Sequence, residues 1–141
     1  MKTVSFQGFR AGLIAGTLVA MMPATAFAWK AENRLDVNPL PSGEAFEVIG
    51  RPGSAGSEFW CAAGDYALRQ LGAPGTARIY ITRARGTPQT SNRLEAVQFS
   101  LTPVGAETTP TPPFLSLRRV GDNLSVTFAR NYCADFKNLE F

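Results

Sequence analysis

The sequence predicts an α+β domain in which a single helix packs on a four- to five-stranded antiparallel sheet, with one disulfide. Three observations carry this expectation. Only Glu58–Leu71 shows sustained apolar spacing of the helical kind. Four strand-like runs follow it, separated by turn residues. The chain has just two cysteines, Cys61 in the helical stretch and Cys133 near the end of the last run. A lone helix with an apolar stripe must lie across one face of the sheet to bury it. A β-barrel or sandwich with one covering helix is the alternative architecture.

Residues 1–28 read as a cleavable signal peptide. Lys2 and Arg10 form a basic start, Ala11–Met22 an apolar run, Pro23 a break, and Ala26-Phe27-Ala28 places small residues where a signal peptidase cuts. The apolar run is about a dozen residues, short of the ~20 needed to span a bilayer core, so no membrane insertion is expected after cleavage. Residues 29–141 then form a single exported domain of 113 residues, enough for one modest core. Lys2 and Arg10 leave with the leader, so 14 basic residues become 12 against 11 acidic ones, a net charge of +1. That balance gives no electrostatic case for nucleic acid. An even pair of cysteines in an exported chain forms a structural disulfide. Closing so long a loop is worth roughly 4 kcal/mol through the entropy it removes from the unfolded chain.

Within the domain, Trp29–Pro41 is polar with two prolines and reads as an irregular arm or short edge strand. Glu44–Ile49 is a first strand, Gly50–Gly56 a turn-rich loop, and Ser57 a helix N-cap. The helix Glu58–Leu71 ends at Gly72, with Pro74 beyond. Trp60, Cys61, Gly64, Ala67, Leu68 and Leu71 share its apolar face; Glu58, Ala62, Asp65 and Arg69 fall opposite, on a face expected to be solvated. The strand runs are Ala77–Arg85, Glu95–Leu101, Phe114–Val120 and Leu124–Tyr132, the last two joined at Gly121-Asp122-Asn123 as a hairpin. Short polar links between consecutive strands imply a meander.

The last run contains a parity conflict. Leu124, Val126 and Phe128 share a strand face, but Cys133 has the opposite parity. Either a bulge near Arg130–Asn131 resets the register, or the strand has ended by then, or Ser125, Thr127 and Ala129 face the helix. The first two are preferred.

No histidine is present, which removes the imidazole base of Ser-His-Asp and Cys-His sites and disfavours zinc. No metal and no cofactor are expected. Glu58 and Asp65 lie seven residues apart on one helix face, about 10 Å at the helical rise, a separation that a carboxylate-using hydrolase could employ. The strand–GRPGSAGS–helix passage resembles an anion-cradling loop without a P-loop's Gly-Lys-Ser/Thr ending, and Arg51 within it could hold a small anion. Arg83, Arg85 and Arg93 could gather at one hairpin end to take an acidic group by bidentate contacts. Tyr66 and Tyr80 are the aromatic residues expected at a surface platform. Two loops, Gly86–Arg93 and the Pro-rich Thr102–Pro113, are long or turn-rich enough to carry function.

The functional expectation is an exported, non-catalytic binding or accessory protein, periplasmic or secreted, that meets a protein or small ligand of the cell envelope. A small carboxylate-using hydrolase and a secreted enzyme inhibitor presenting Thr102–Pro113 are the alternatives.

Overall fold

In a computed structural model, which describes Thr3 and residues 27–93, 95–105 and 116–137, the chain forms six strands and two helices. In order these are β1 (Trp29–Lys30), β2 (Asp36–Pro39), β3 (Ala45–Ile49), α1 (Gly56–Arg69), β4 (Arg78–Gly86), β5 (Ala96–Ser100), β6 (Asn123–Ser125) and α2 (Val126–Lys137). The expected signal peptide, apart from Thr3, Phe27 and Ala28, and residues 106–113 of the Pro-rich loop lie outside the described residues.

All strand pairs are antiparallel, in the spatial order β1-β2-β3-β5-β4-β6. Because β5 runs opposite to both its neighbours, β3 and β4 are parallel to each other and α1 is the crossover between them. This is a split βαβ unit rather than the expected meander. The mixed α+β class holds, but the single helix and the four or five strands do not: the sheet has six strands, and a second helix closes the described chain.

The first additional strands come from the polar arm. Trp29 and Lys30 pair with Val37 and Asp36, making a hairpin at the sheet edge. The added helix comes from the run expected to be the last strand. Ser125 ends that strand by accepting a hydrogen bond through Oγ from the Phe128 N–H at 3.2 Å, as an N-cap does. Val126, Ala129 and Cys133 then follow at helical spacing, and all three are buried. The parity conflict at Cys133 is therefore resolved by an early strand end, with no bulge required. The expected Phe114–Val120 strand is also absent in its described part. Residues 117–122 instead run irregularly beside β4, where Arg85 N–H donates to the Leu117 carbonyl and Gly121 N–H to that of Ile81.

α1 begins two residues earlier than expected. Its N-cap is Ala55 rather than Ser57, and the Glu58 carboxylate reaches back to accept from the Ala55 N–H at 2.7 Å. The face that meets the sheet is Phe59, Trp60, Ala63 and Tyr66, whereas Cys61 and Gly64, expected beside Trp60 on one apolar face, turn toward α2. Phe46 stacks on Phe99 and lies tilted against Tyr66, and Trp60 meets Phe99 edge to face, at centroid distances of 4.6–5.9 Å. The face expected to be solvated is covered by the β1–β2 turn, through Glu32 and Asn33, and by Arg130 of α2, and Ala62 and Asp65 are fully buried. Cys61 lies against Cys133 and Gly64 against Ala129 and Arg130, so the two helices run antiparallel. The disulfide joins them with 4.9 Å between Cα atoms. It therefore ties helix to helix, not a helix to the end of a strand. Both cysteines are buried, which is compatible with an extracytoplasmic, oxidising location.

Strand alternation sends Val37, Val48 and Val97 toward the helices. The opposite face carries Lys30, Asp36, Asn38, Glu47, Ile49 and Gln98, and the candidate site is built on it.

Candidate functional site

Cross-strand register assembles the site. Lys30 pairs with Asp36 and Asp36 with Ile49, forming one row across β1, β2 and β3 on the face away from the helices. Lys30 Nζ and Asp36 Oδ1 are ion-paired along this row. Around its end opens a cleft of about 470 Å³ lined by Lys30, Arg34, Leu35, Asp36, Ile49, Gly50, Arg51 and Arg93. Among the described residues, the lining has four cationic side chains and one carboxylate, over buried Leu35 and Ile49.

Each cation is placed by a distinct local device. The β1–β2 turn is closed by hydrogen bonds from Arg34 N–H to the Ala31 carbonyl (2.8 Å) and from Ala31 N–H to that of Leu35 (3.0 Å). This geometry puts Arg34 in the left-handed region, with φ 65°. Glycine or asparagine occupies that region readily; an arginine there is strained. Asn33 pins the turn to α1 by donating from Nδ2 to the Glu58 carbonyl at 2.8 Å. Arg51 leaves β3 through Gly50, spans to the same turn and donates from Nη2 to the Asn33 carbonyl at 2.8 Å. Gly50 is required here because a Cβ would stand 2.5 Å from Cζ of Phe59.

Arg93 arrives on the Gly86–Arg93 loop, which folds against the same sheet face. Its clamp is Glu47, whose side chain is fully buried. The carboxylate accepts from the backbone N–H groups of Gln89 and Thr90, the Thr90 hydroxyl, and Nε2 of Gln98, at 2.7–3.0 Å. Burial pushes this carboxyl up, but the donors from Gln98, Gln89 and Thr90 together outweigh it and hold Glu47 below its ordinary value of 4.5. Asn38 adds a second tie, donating to Thr90 Oγ1 at 2.8 Å.

The sequence candidates divide. Arg51 and Arg93 meet at the cleft. Arg83 is exposed on β4, in register with Gln98 of β5, and Arg85 is ion-paired with Glu95 at 3.4 Å and lies over the Phe59 ring at 4.8 Å. Neither lines the cleft. Tyr66 is buried between Trp29 and Phe46, and Tyr80 is buried as well, so neither supplies an exposed platform. Glu58 is engaged in the helix cap. Asp65 is not solvated: it accepts from the Glu32 N–H at 2.9 Å and pairs with Arg69 at 3.1 Å and Arg130 at 3.4 Å. The inhibitor reading rests on Thr102–Pro113, whose residues 106–113 lie outside the described residues.

No protein-family model matches the chain, nor does any curated protein or solved structure. Function must be read from the site itself. Among the described residues, no group of three or more His, Cys, Asp or Glu side chains could hold a metal ion. Sequence reading missed Lys30, Arg34, Asp36 and Glu47. Glu47 left a trace, since it alternates with Phe46 and Val48 and so had to face away from the helices. Lys30 and Arg34 could be found only once the arm was recognised as a hairpin.

Proposed function

We propose that this chain is an exported, non-catalytic binding protein that takes an anionic ligand in the cleft between the β1–β2 turn and Arg93. The observation carrying the reading is the lining itself: Lys30, Arg34, Arg51 and Arg93 around a single carboxylate, Asp36. Guanidinium groups bind carboxylate and phosphate through paired, directed hydrogen bonds, and the apolar floor suits the body of a small molecule. A volume of about 470 Å³ lies within the ~300–1,000 Å³ common to small-molecule sites. The carboxylates Glu58 and Asp65, which a hydrolase would need free, are spent on a helix cap and on buried ion pairs. Export is supported by the leader-like residues 1–28 and by the buried disulfide.

The shared ligand chemistry is an oxyanion, carried either by a carboxylated sugar or by a phosphate. Titration calorimetry of the oxidised protein with glucuronate and with inorganic phosphate separates these sources. Saturable binding of one of them, weakened about tenfold or more by Arg51→Ala or Arg93→Ala, is the expected result, since a hydrogen bond to a charged group contributes ~1.5–3 kcal/mol. Binding unchanged in both variants would overturn the reading.

A further inference from the structure

We infer that Glu47 is the positioning residue of the cleft, its buried carboxylate holding the Gly86–Arg93 loop so that Arg93 stands against the ligand. This rests on the anion-binding reading above. Four observations carry it. Glu47 is fully buried on the sheet face that bears the cleft. It lies on β3 two residues before Ile49, which lines the cleft. Three of its donors, Gln89 N–H, Thr90 N–H and Thr90 Oγ1, belong to the loop and not to the sheet. The loop is fixed again where Gly86 pairs with Ala96, leaving Arg93 only three residues beyond the clamped Thr90.

A buried carboxylate is costly unless its oxygens are satisfied. Here they are satisfied by neutral donors: Gln98 from β5, and Gln89 and Thr90 from the loop. A glutamine would fit the space but would aim an amide N–H₂ at donors that need an acceptor. The acid is thus suited to gripping a backbone segment, which a sheet residue with a merely filling role has no need to do. Three residues of extended chain reach about 10 Å, so Arg93 cannot wander far while Thr90 is held.

The test is a double-mutant cycle read by titration calorimetry with glucuronate and inorganic phosphate. Glu47→Gln should weaken binding about fivefold to tenfold, within the range of coupling between contacting groups. In Glu47→Gln/Arg93→Ala the loss should equal that of Arg93→Ala alone, because an arginine that is absent cannot be misplaced. In Glu47→Gln/Arg51→Ala the two losses should multiply. Multiplying losses in the Arg93 pair, or wild-type affinity in Glu47→Gln, overturn the inference and leave the anion-binding reading standing. Failure of the wild type to bind either probe overturns both. Should Glu47→Gln not fold, Thr90→Ala removes at an exposed position the hydroxyl that donates to Glu47 and accepts from Asn38, leaves the backbone donors in place, and should show the same non-additivity with Arg93→Ala on a smaller scale. Amide hydrogen exchange supplies a readout apart from binding. Glu47→Gln should speed exchange at Gln89 and Thr90 and leave the α1 amides unchanged, whereas faster exchange throughout the protein would reduce Glu47 to a general structural role.

Discussion

A Cβ placed on Gly64 would stand 2.6 Å from the backbone nitrogen of Arg130 and 3.0 Å from the carbonyl carbon of Ala129. The two helices therefore touch backbone to backbone at this point, one turn from the disulfide. In an exposed helix, Gly→Ala stabilises by up to ~1 kcal/mol. Here the sign reverses, because the obstacle is main chain held by a covalent link and cannot turn aside. Gly64→Ala is expected to lower stability by about 2 kcal/mol, measured by urea denaturation of the oxidised protein. An unchanged or higher midpoint would show that the helices part freely.

Removing the covalent link should cost more. Cys61 and Cys133 are separated by 72 residues, and releasing so long a loop in the unfolded chain costs about 4 kcal/mol. Cys61→Ala/Cys133→Ala is expected to lose that amount in denaturant titrations. Thiol labelling and intact mass of the wild type should find no free thiol. Two labelled cysteines in the native protein would remove the basis of the prediction.

Asp65 is fully buried, while its partners Arg69 and Arg130 are partly exposed, at 52 % and 40 %. Asp65→Ala lets both arginines turn to water but strands the Glu32 N–H that the carboxylate had accepted from. The expected loss is about 2 kcal/mol, below the ~3–5 kcal/mol of a fully enclosed ion pair. Arg130→Ala alone should cost less, since Arg69 and the Glu32 N–H still satisfy the acid. Equal losses in the two variants would contradict this division.

Glu47 sets a pH dependence with a definite sign. Its carboxyl is held below the ordinary value of 4.5, so the folded state binds its proton less readily than the unfolded chain. The stability it contributes is present in full above about pH 4.5 and is lost as pH falls through the lower folded value. Stability of the wild type relative to Glu47→Gln, followed by denaturation from pH 7 to pH 3, should be constant at first and shrink below about pH 4.5. A difference that grows on acidification would reverse the assignment.

Arg34 separates stability from binding. Its φ of 65° imposes backbone strain of ~1–3 kcal/mol that glycine does not suffer. Arg34→Gly relieves that strain, so it is expected to cost less stability than Arg34→Ala, which keeps a Cβ in the left-handed region, as compared by urea denaturation. It should also weaken glucuronate or phosphate binding. An Arg34→Gly variant that kept full affinity would place Arg34 outside the site.

The sequence made the central strands and α1 legible because their periodicities do not overlap: Ala45–Ile49 and Ala96–Ser100 lie within the runs read as strands, and Arg78–Gly86 exceeds the run Ala77–Arg85 only by Gly86. α2 escaped because Leu124, Val126 and Phe128 alternate as a strand would, while Val126, Ala129 and Cys133 equally well mark a helix. The choice was made by Ser125 acting as a cap and by burial against α1, which is a tertiary effect. The misplacement of Asp65 on a solvated face followed from missing both α2, which brings Arg130 to it, and the β1–β2 turn, whose Glu32 N–H it accepts from. The cleft was half legible: Arg51 and Arg93 could be named as anion ligands from their loops, but their meeting with Lys30 and Arg34 depends on the β1–β2 hairpin, whose two-residue first strand carries almost no periodic signal.

The position of β5 has a consequence for how the molecule is made. It is threaded between β3 and β4, although both precede it in the chain. The sheet therefore cannot be laid down in the order of synthesis; until Ala96–Ser100 emerges, two strand edges face an empty slot and are open to pairing with another chain. The two cysteines bracket that slot in sequence, one before β4 and one after β6. Cys133 follows β5 in the chain, so the ring can close only once β5 has been made. Oxidation before β5 has docked would close it around an unfinished sheet, and the yield of folded protein should depend on whether thiol chemistry waits for that strand to slide home.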